Sequence, residues 1–261
     1  MTTKRCLFAA MVMLATFGVA GCESAPGKPK AEERWVAPAQ ITDFNQLYSQ
    51  NCAGCHGTDG RLGSAPPLND PLYLAVANAD ALREVTAKGV AGTAMPPFAE
   101  QSGGSLTDKQ IDALVEGMKS QWGRPNDFKD VVLPPYSLKD AINNGSGPGD
   151  TQRGANVFAT YCAQCHGTDA RGGAKGGSVV NPNFLALASD QSLRTTTIVG
   201  RADLGKPDWR ANVSNHPMSP QEISDVVAWL VAQRPNKPVV GQDAANSPVS
   251  STSVADGLKR E

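Results

Sequence analysis

Long apolar runs are missing from this sequence. The longest, Leu7 to Ala20, falls short of the ~18 to 20 residues that cross a bilayer as a helix. An excess of one charge is also missing, with 24 Lys and Arg against 25 Asp and Glu. No basic stripe of the kind that grips a phosphate backbone is present, so nucleic acid is not expected as a partner. Extended regular elements are discouraged as well, because 26 Gly and 19 Pro among 261 residues point to loop-rich units. Small units with few elements need something besides an apolar core to hold them together.

The first 21 residues read as a targeting segment, with Lys4 and Arg5 before the apolar run. Val19-Ala20-Gly21-Cys22 resembles a bacterial lipobox, which implies export and a lipid on Cys22. The chain is therefore expected on the periplasmic side, anchored to a membrane. Residues 22–37 are polar and contain Pro and Lys, and read as a flexible tether. Of the 24 basic side chains two leave with the segment, so 22 face 25 acidic ones in the mature chain.

The remainder is a duplication. Cys52 and Cys162 lie 110 positions apart, and Cys-His-Gly-Thr-Asp recurs at 55–59 and 165–169. The offset drifts to 111 at Gly89 and Gly200 and to 112 at Ile111 and Ile223, as expected of duplicated domains with small loop changes. Domains are expected at 38–123 and 150–235, with a linker at 124–149 and a disordered tail at 236–261. Each copy predicts the same helices. One precedes the cysteines, with Ile41, Phe44, Leu47 and Tyr48 or Val157, Phe158 and Tyr161 as its apolar positions. A middle helix lies near Ala79 to Lys88 or Ser192 to Val199. The last follows Thr107 or Ser219 as N-cap, and carries Ile111/Leu114/Val115/Met118 or Ile223/Val226/Val227/Leu230 at helical spacing. The fold class is all-α.

Cys52-Ala53-Gly54-Cys55-His56 and Cys162-Ala163-Gln164-Cys165-His166 carry the chemistry. Two thioethers to a haem need thiols about one helical turn apart, and the adjacent histidine then projects at the iron. Bare Cys-x-x-Cys could be half a zinc site or a redox dithiol, but two copies on an exported chain, each ending in His-Gly, favour two covalent c-type haems. Cys6 leaves with the targeting segment and Cys22 takes lipid, so no thiol is left for a disulfide.

With these motifs and helices in hand, the chain resembles tandem class I cytochrome c domains. The resemblance implies a close crossing of the first and last helices in each domain, with Gly eight residues before the first Cys and an aromatic on the last helix. Gly154 and Trp229 match it; Phe44 and Gly117 stand reversed in size in the first domain. One bulky and one minimal side chain still fill the crossing, so Phe44 is expected over Gly117 and Trp229 over Gly154. The resemblance also implies Met95, in Met95-Pro96-Pro97-Phe98, as axial ligand opposite His56, and the carbonyl of an Ala65-Pro66-Pro67-Leu68 segment as acceptor for the His56 ring. Opposite His166 the position aligned with Met95 holds Lys206; Met218 is favoured as ligand, with Lys206, His216 or an open site as alternatives. The Gly172 to Gly177 run, which replaces the Pro segment, would either bring backbone to the haem or form a mobile loop. Arg201, Lys206 and Arg210 cluster as a surface for an acidic partner.

The implied function is one-electron transfer without catalysis by the chain itself. A quinol-oxidising complex, an oxidase, a reaction centre or a dehydrogenase would be its redox partners. The competing reading, carried by Lys206, is a haem enzyme or gas- or peroxide-reactive subunit with an open second iron.

Overall fold

The computed structural model describes residues 29, 30 and 34 to 235. The expected targeting segment, Cys22 and the tail lie outside the described residues. The described residues up to Ile41 belong to a unit separate from the rest, and among them a short 3-10 turn, Pro38–Gln40, is regular. From Thr42 onward the chain forms a second unit, and everything below concerns that unit.

Its architecture is helical throughout the described residues, without a strand ladder. The first copy contains α1 (Phe44–Asn51), α2 (Ala53–His56), α3 (Pro71–Val76), α4 (Ala79–Lys88) and α5 (Asp108–Gln121). After α6 (Leu138–Asn143) the second copy repeats the series as α7 (Thr151–Tyr161), α8 (Ala163–His166), α9 (Pro182–Leu187), α10 (Asp190–Val199) and α11 (Pro220–Ala232). Side-chain caps set the starts. Thr107 with Gln110 and Ser219 with Glu222 form reciprocal capping boxes. Asp43 accepts from the Gln46 N–H at 2.8 Å, so α1 begins at Phe44, and Ile41, expected on this helix, is extended.

Both crossings of first and last helix follow the size argument. A Cβ added at Gly117 would collide with the Phe44 ring and stand 2.7 Å from the Phe44 Cβ. At Gly154 it would collide with the Asp225 carbonyl and stand 2.6 Å from the Trp229 Cβ. Trp122 adds an aromatic that the helix pattern did not disclose, meeting Phe44 edge-on at 5.1 Å and Tyr48 at 5.0 Å. Phe158 lies against Trp229 at 4.6 Å in the second copy. The second crossing is further pinned by Asp225, buried on α11, which takes paired 2.8 Å bonds from Arg153 and further bonds from Gln221 and the Asp150 N–H.

The segment between the copies, expected as a linker, is ordered and docked. It holds a 3-10 turn, Pro125–Phe128, and α6, whose Ser137 and Asp140 cap one another. Buried Arg194 donates to the Pro135 carbonyl at 2.9 Å, the Tyr136 carbonyl at 3.1 Å and the Ser224 hydroxyl at 3.0 Å. The copies also share apolar surface. Leu72 of α3 is buried in the cluster built by Phe158, Ile198, Val199 and Ile223, with Tyr73, Phe128 and Leu133 around it. Tyr73 hydrogen-bonds Tyr136, and the Leu62 N–H reaches the Asp203 carboxylate. Burying this apolar surface couples the two copies in one body.

Candidate haem sites

Each Cys-x-x-Cys-His motif is a single tight turn appended to a longer helix. The backbone breaks at Cys52 and Cys162 (φ −118° and −116°) and resumes as α2 and α8. The His56 and His166 N–H groups each bond the first cysteine's carbonyl at 3.0 Å, so both thiols and the imidazole leave the same turn. The chain then turns away at Gly57 (φ +87°) and Gly167 (φ +79°), a left-handed conformation that suits glycine. A Cβ on Gly57 would strike the Arg61 carbonyl.

The imidazoles are held alike by unlike loops. His56 Nδ1 lies 2.7 Å from the Pro66 carbonyl and His166 Nδ1 2.7 Å from the Gly177 carbonyl. A carbonyl only accepts, so each ring carries its proton on Nδ1 and presents the Nε2 lone pair. The glycine run is therefore an approach device. A Cβ at Gly176 would stand 2.8 Å from His166 Cε1 and 2.9 Å from Nδ1. Burial lowers the His56 pKa, against the opposing effect of the Pro66 bond, a direction that favours the neutral form of the ring.

The thiols do not fit the competing chemistries. Burial, with the neighbouring cysteine, pushes Cys52 and Cys162 up to about 11, the reverse of the depressed values that a reactive dithiol needs. Among the described residues no three His, Cys, Asp or Glu side chains gather to hold a bare metal ion. Two sulfurs and a neutral imidazole on one turn, with the imidazole oriented from behind, fit a covalently attached porphyrin.

Comparison with known proteins agrees. Residues 39–116 match the family described as cytochrome c oxidase, cbb3-type, subunit III, and residues 151–233 match cytochrome c. The chain carries two class I cytochrome c domains in tandem. Two covalent c-type haems go with them. The cytochrome is 31% identical over 140 residues to a cbb3-type cytochrome c oxidase subunit FixPc of Rhizobium leguminosarum bv. viciae, covering 50% of this chain and 40% of the relative. It is 32% identical over 136 residues to subunit CcoP of Rubrivivax gelatinosus, covering 52% and 36%. A cytochrome bc1 complex cytochrome c subunit of Corynebacterium diphtheriae is 24% identical over 195 residues, covering 74% and 66%. The chain thus spans less than half the length of these two oxidase subunits.

The remaining candidate residues are placed as follows. Met95 is half-buried, and its carbonyl accepts from the Val90 N–H at 3.1 Å, closing the loop that opens at Gly89. Met218 is buried beside Ile223 in the second domain's core. His216 is exposed, with Nδ1 2.5 Å from the Tyr161 hydroxyl, which also donates to Glu222. Of the expected basic cluster, Arg201 is paired with Asp203, and Arg210 is paired with Asp208 and lies over Trp209. Two of its three charges are thereby spent locally. Sequence reasoning missed the half-buried Lys119, which donates to the Leu74 and Ala77 carbonyls at 2.6 Å, and Arg234, which bonds the matching Leu185 and Ala188 carbonyls.

Proposed function

We propose that this cytochrome is a one-electron carrier on the periplasmic side of a membrane. Cys52 and Cys55 join one haem and Cys162 and Cys165 the other, with His56 and His166 as proximal ligands and Met95 as distal ligand of the first. The observation that supports this most is the repeated imidazole tether, a 2.7 Å bond from Nδ1 to a backbone carbonyl in both domains. Haem bound there supplies an iron couple that changes by one electron.

The chain's own part is orientation and tuning. A tethered Nδ1–H fixes the ring and makes Nε2 more basic. A thioether such as that of Met95 favours ferrous iron over harder donors and raises the potential. The fused apolar interface between the domains keeps the two sites in one body, so little reorganisation accompanies a change of charge.

Resemblance to cbb3-type oxidase subunits favours an oxidase complex as partner, and the bc1-type relative keeps a quinol-oxidising complex as the donor. Cys22 is read as the lipid anchor that confines the carrier to the membrane surface and raises its local concentration there. In this reading the chain moves electrons and is not itself the enzyme.

The test is direct. Chain matured with intact haem-attachment machinery should carry two covalent haems, each titrating with one electron. It should also mediate electron flow from a bc1 complex to a cbb3-type oxidase in vesicles. Cys22→Ser should move it from the membrane to the soluble fraction. Fewer than two haems, or no electron exchange with either complex, would overturn the proposal.

A further inference from the structure

The ligand loops of the two domains share a register that three contacts mark. Val90 N–H bonds the Met95 carbonyl at 3.1 Å, and Arg201 N–H bonds the Lys206 carbonyl at 3.3 Å. A Cβ on Gly89 would stand 2.6 Å from Pro96 C, and one on Gly200 would stand 2.6 Å from Pro207 C. Further on, Leu106 N–H bonds the Phe98 carbonyl at 2.8 Å, and Met218 N–H bonds the Trp209 carbonyl at 3.0 Å. In this register Lys206 occupies the place of Met95, and Met218 that of Leu106.

Met218 has a complete structural role in that place. It directly precedes the N-cap Ser219 and shares a buried cluster with Ile223, the fourth residue of the helix. Leu106, before Thr107, and Ile111 stand in the same relation and are equally buried. This is a hydrophobic staple, which fixes the entry of the chain into the last helix. Its side chain is committed to the core in both domains. His216 is exposed on the surface, with its ring held against Tyr161 through Nδ1. Lys206 lines a cleft of about 340 Å3 shared with Asp70, Arg124, Phe128 and Asp208, none of them from a haem motif.

We propose that the second haem has no thioether ligand and is a ligand-exchangeable site, with Lys206 the residue that sets it apart from the first. Its sixth position takes a small exogenous donor, carbon monoxide when ferrous and cyanide or imidazole when ferric. The amine of Lys206 is at most a displaceable occupant, because it must shed its proton before it can ligate. The inference rests on the two-haem reading above.

The experiment uses the full matured chain, with haem first counted per polypeptide from the pyridine adduct spectrum. At two haems per chain, the ferric protein should show the Met-to-iron charge-transfer band for one haem, and the dithionite-reduced protein should bind one carbon monoxide per chain. Met218→Leu should leave both readings unchanged. Lys206→Met should double the band, abolish carbon monoxide binding and raise the lower of the two midpoint potentials. With two haems present, a band worth two haems, no carbon monoxide uptake, or a band halved by Met218→Leu would overturn the inference and leave the carrier reading standing. A haem count below two would overturn both.

Discussion

Adding one methyl group at Gly117 should change the stability of the first domain with a sign that depends on residue 44. Gly117 lies inside α5, where Gly to Ala ordinarily stabilises a helix by ~1 kcal/mol. Here the new Cβ would collide with the Phe44 ring and stand 2.7 Å from its Cβ. Relief requires the helices to part or the ring to leave its edge-on contact with Trp122 at 5.1 Å. Overpacking of this kind costs ~1–3 kcal/mol, so Gly117→Ala in the native background should be neutral to destabilising by about 2 kcal/mol. Phe44→Ala alone removes a ring that is 7% exposed and should cost ~3–5 kcal/mol. In the Phe44→Ala background the ring is gone and only the Cβ of residue 44, 2.7 Å away, still has to yield, so adding Gly117→Ala should be neutral there or restore up to ~1 kcal/mol. Urea unfolding of the four haem-loaded proteins, followed by far-ultraviolet circular dichroism, measures the cycle. Equal effects of Gly117→Ala in both backgrounds would refute the packing argument, because it requires coupling of ~1–3 kcal/mol.

Three other outcomes follow from the same geometry. Gly176→Ala would press its Cβ on His166 and lengthen the bond to the Gly177 carbonyl; a less basic imidazole stabilises ferric iron less, so one midpoint potential should rise while the other holds. Burial raises the Asp225 carboxyl, but the Arg153 pair, Gln221 and the Asp150 N–H outweigh it and leave the pKa depressed. A depressed carboxylate contributes stability above its unfolded pKa of about 3.9 and loses it as pH falls through the folded value. The melting-temperature gap between native protein and Asp225→Asn should therefore be wide at neutral pH and close below about pH 4; a constant gap would show that the pair contributes nothing. Arg194→Ala would strand the Pro135 carbonyl and leave the Tyr136 carbonyl to Gln191 alone, cost ~1–3 kcal/mol and open residues 124–149 to limited proteolysis; unchanged cleavage would mean the segment is held by its other contacts.

What could be read in advance was what local chemistry dictates. Caps at Thr107 and Ser219, the helical stripes behind them, and the paired haem motifs each need only a few adjacent residues, and each expected helix is present. The short helices α3 and α9 went unread, although Asp70-Pro71 and Asn181-Pro182 are good starts of the same kind, with N-caps that accept two N–H groups each. They span six residues, too few for a periodic stripe. The docking of residues 124–149 was illegible for a different reason. It depends on Arg194, which lies 58 positions from Tyr136 in the chain, and Gly- and Pro-rich composition carries no trace of such a partner. The glycine run at 172–177 was legible as two alternatives, and only the position of the His166 ring relative to Gly176 separates them.

The cations at the ends of α3 and α9 explain why the offset between the copies drifts without loss of the fold. The carbonyls of Leu74 and Ala77 recur as Leu185 and Ala188, a constant 111 positions apart, because both sit at the frayed end of a helix too short to satisfy them. The donors differ in position and kind. Lys119 reaches them from within α5, whereas Arg234 comes from beyond the end of α11 and adds a bond to Asp190. A lysine ammonium meets both carbonyls as a compact charge, and a guanidinium spreads its donors over a wider span. Both copies therefore meet the same requirement, a cation on these carbonyls, with a residue at a different place in the chain. The same logic covers Phe44 with Gly117 against Gly154 with Trp229, where volume at the crossing is kept and its source exchanged. Lys206 breaks this pattern. Nothing else in the second domain's loop offers a thioether in return for the one missing at Met95's place, since Met218 is occupied as the staple that Leu106 provides in the first. An uncompensated change among so many compensated ones marks the position where the two haem sites differ in what they do.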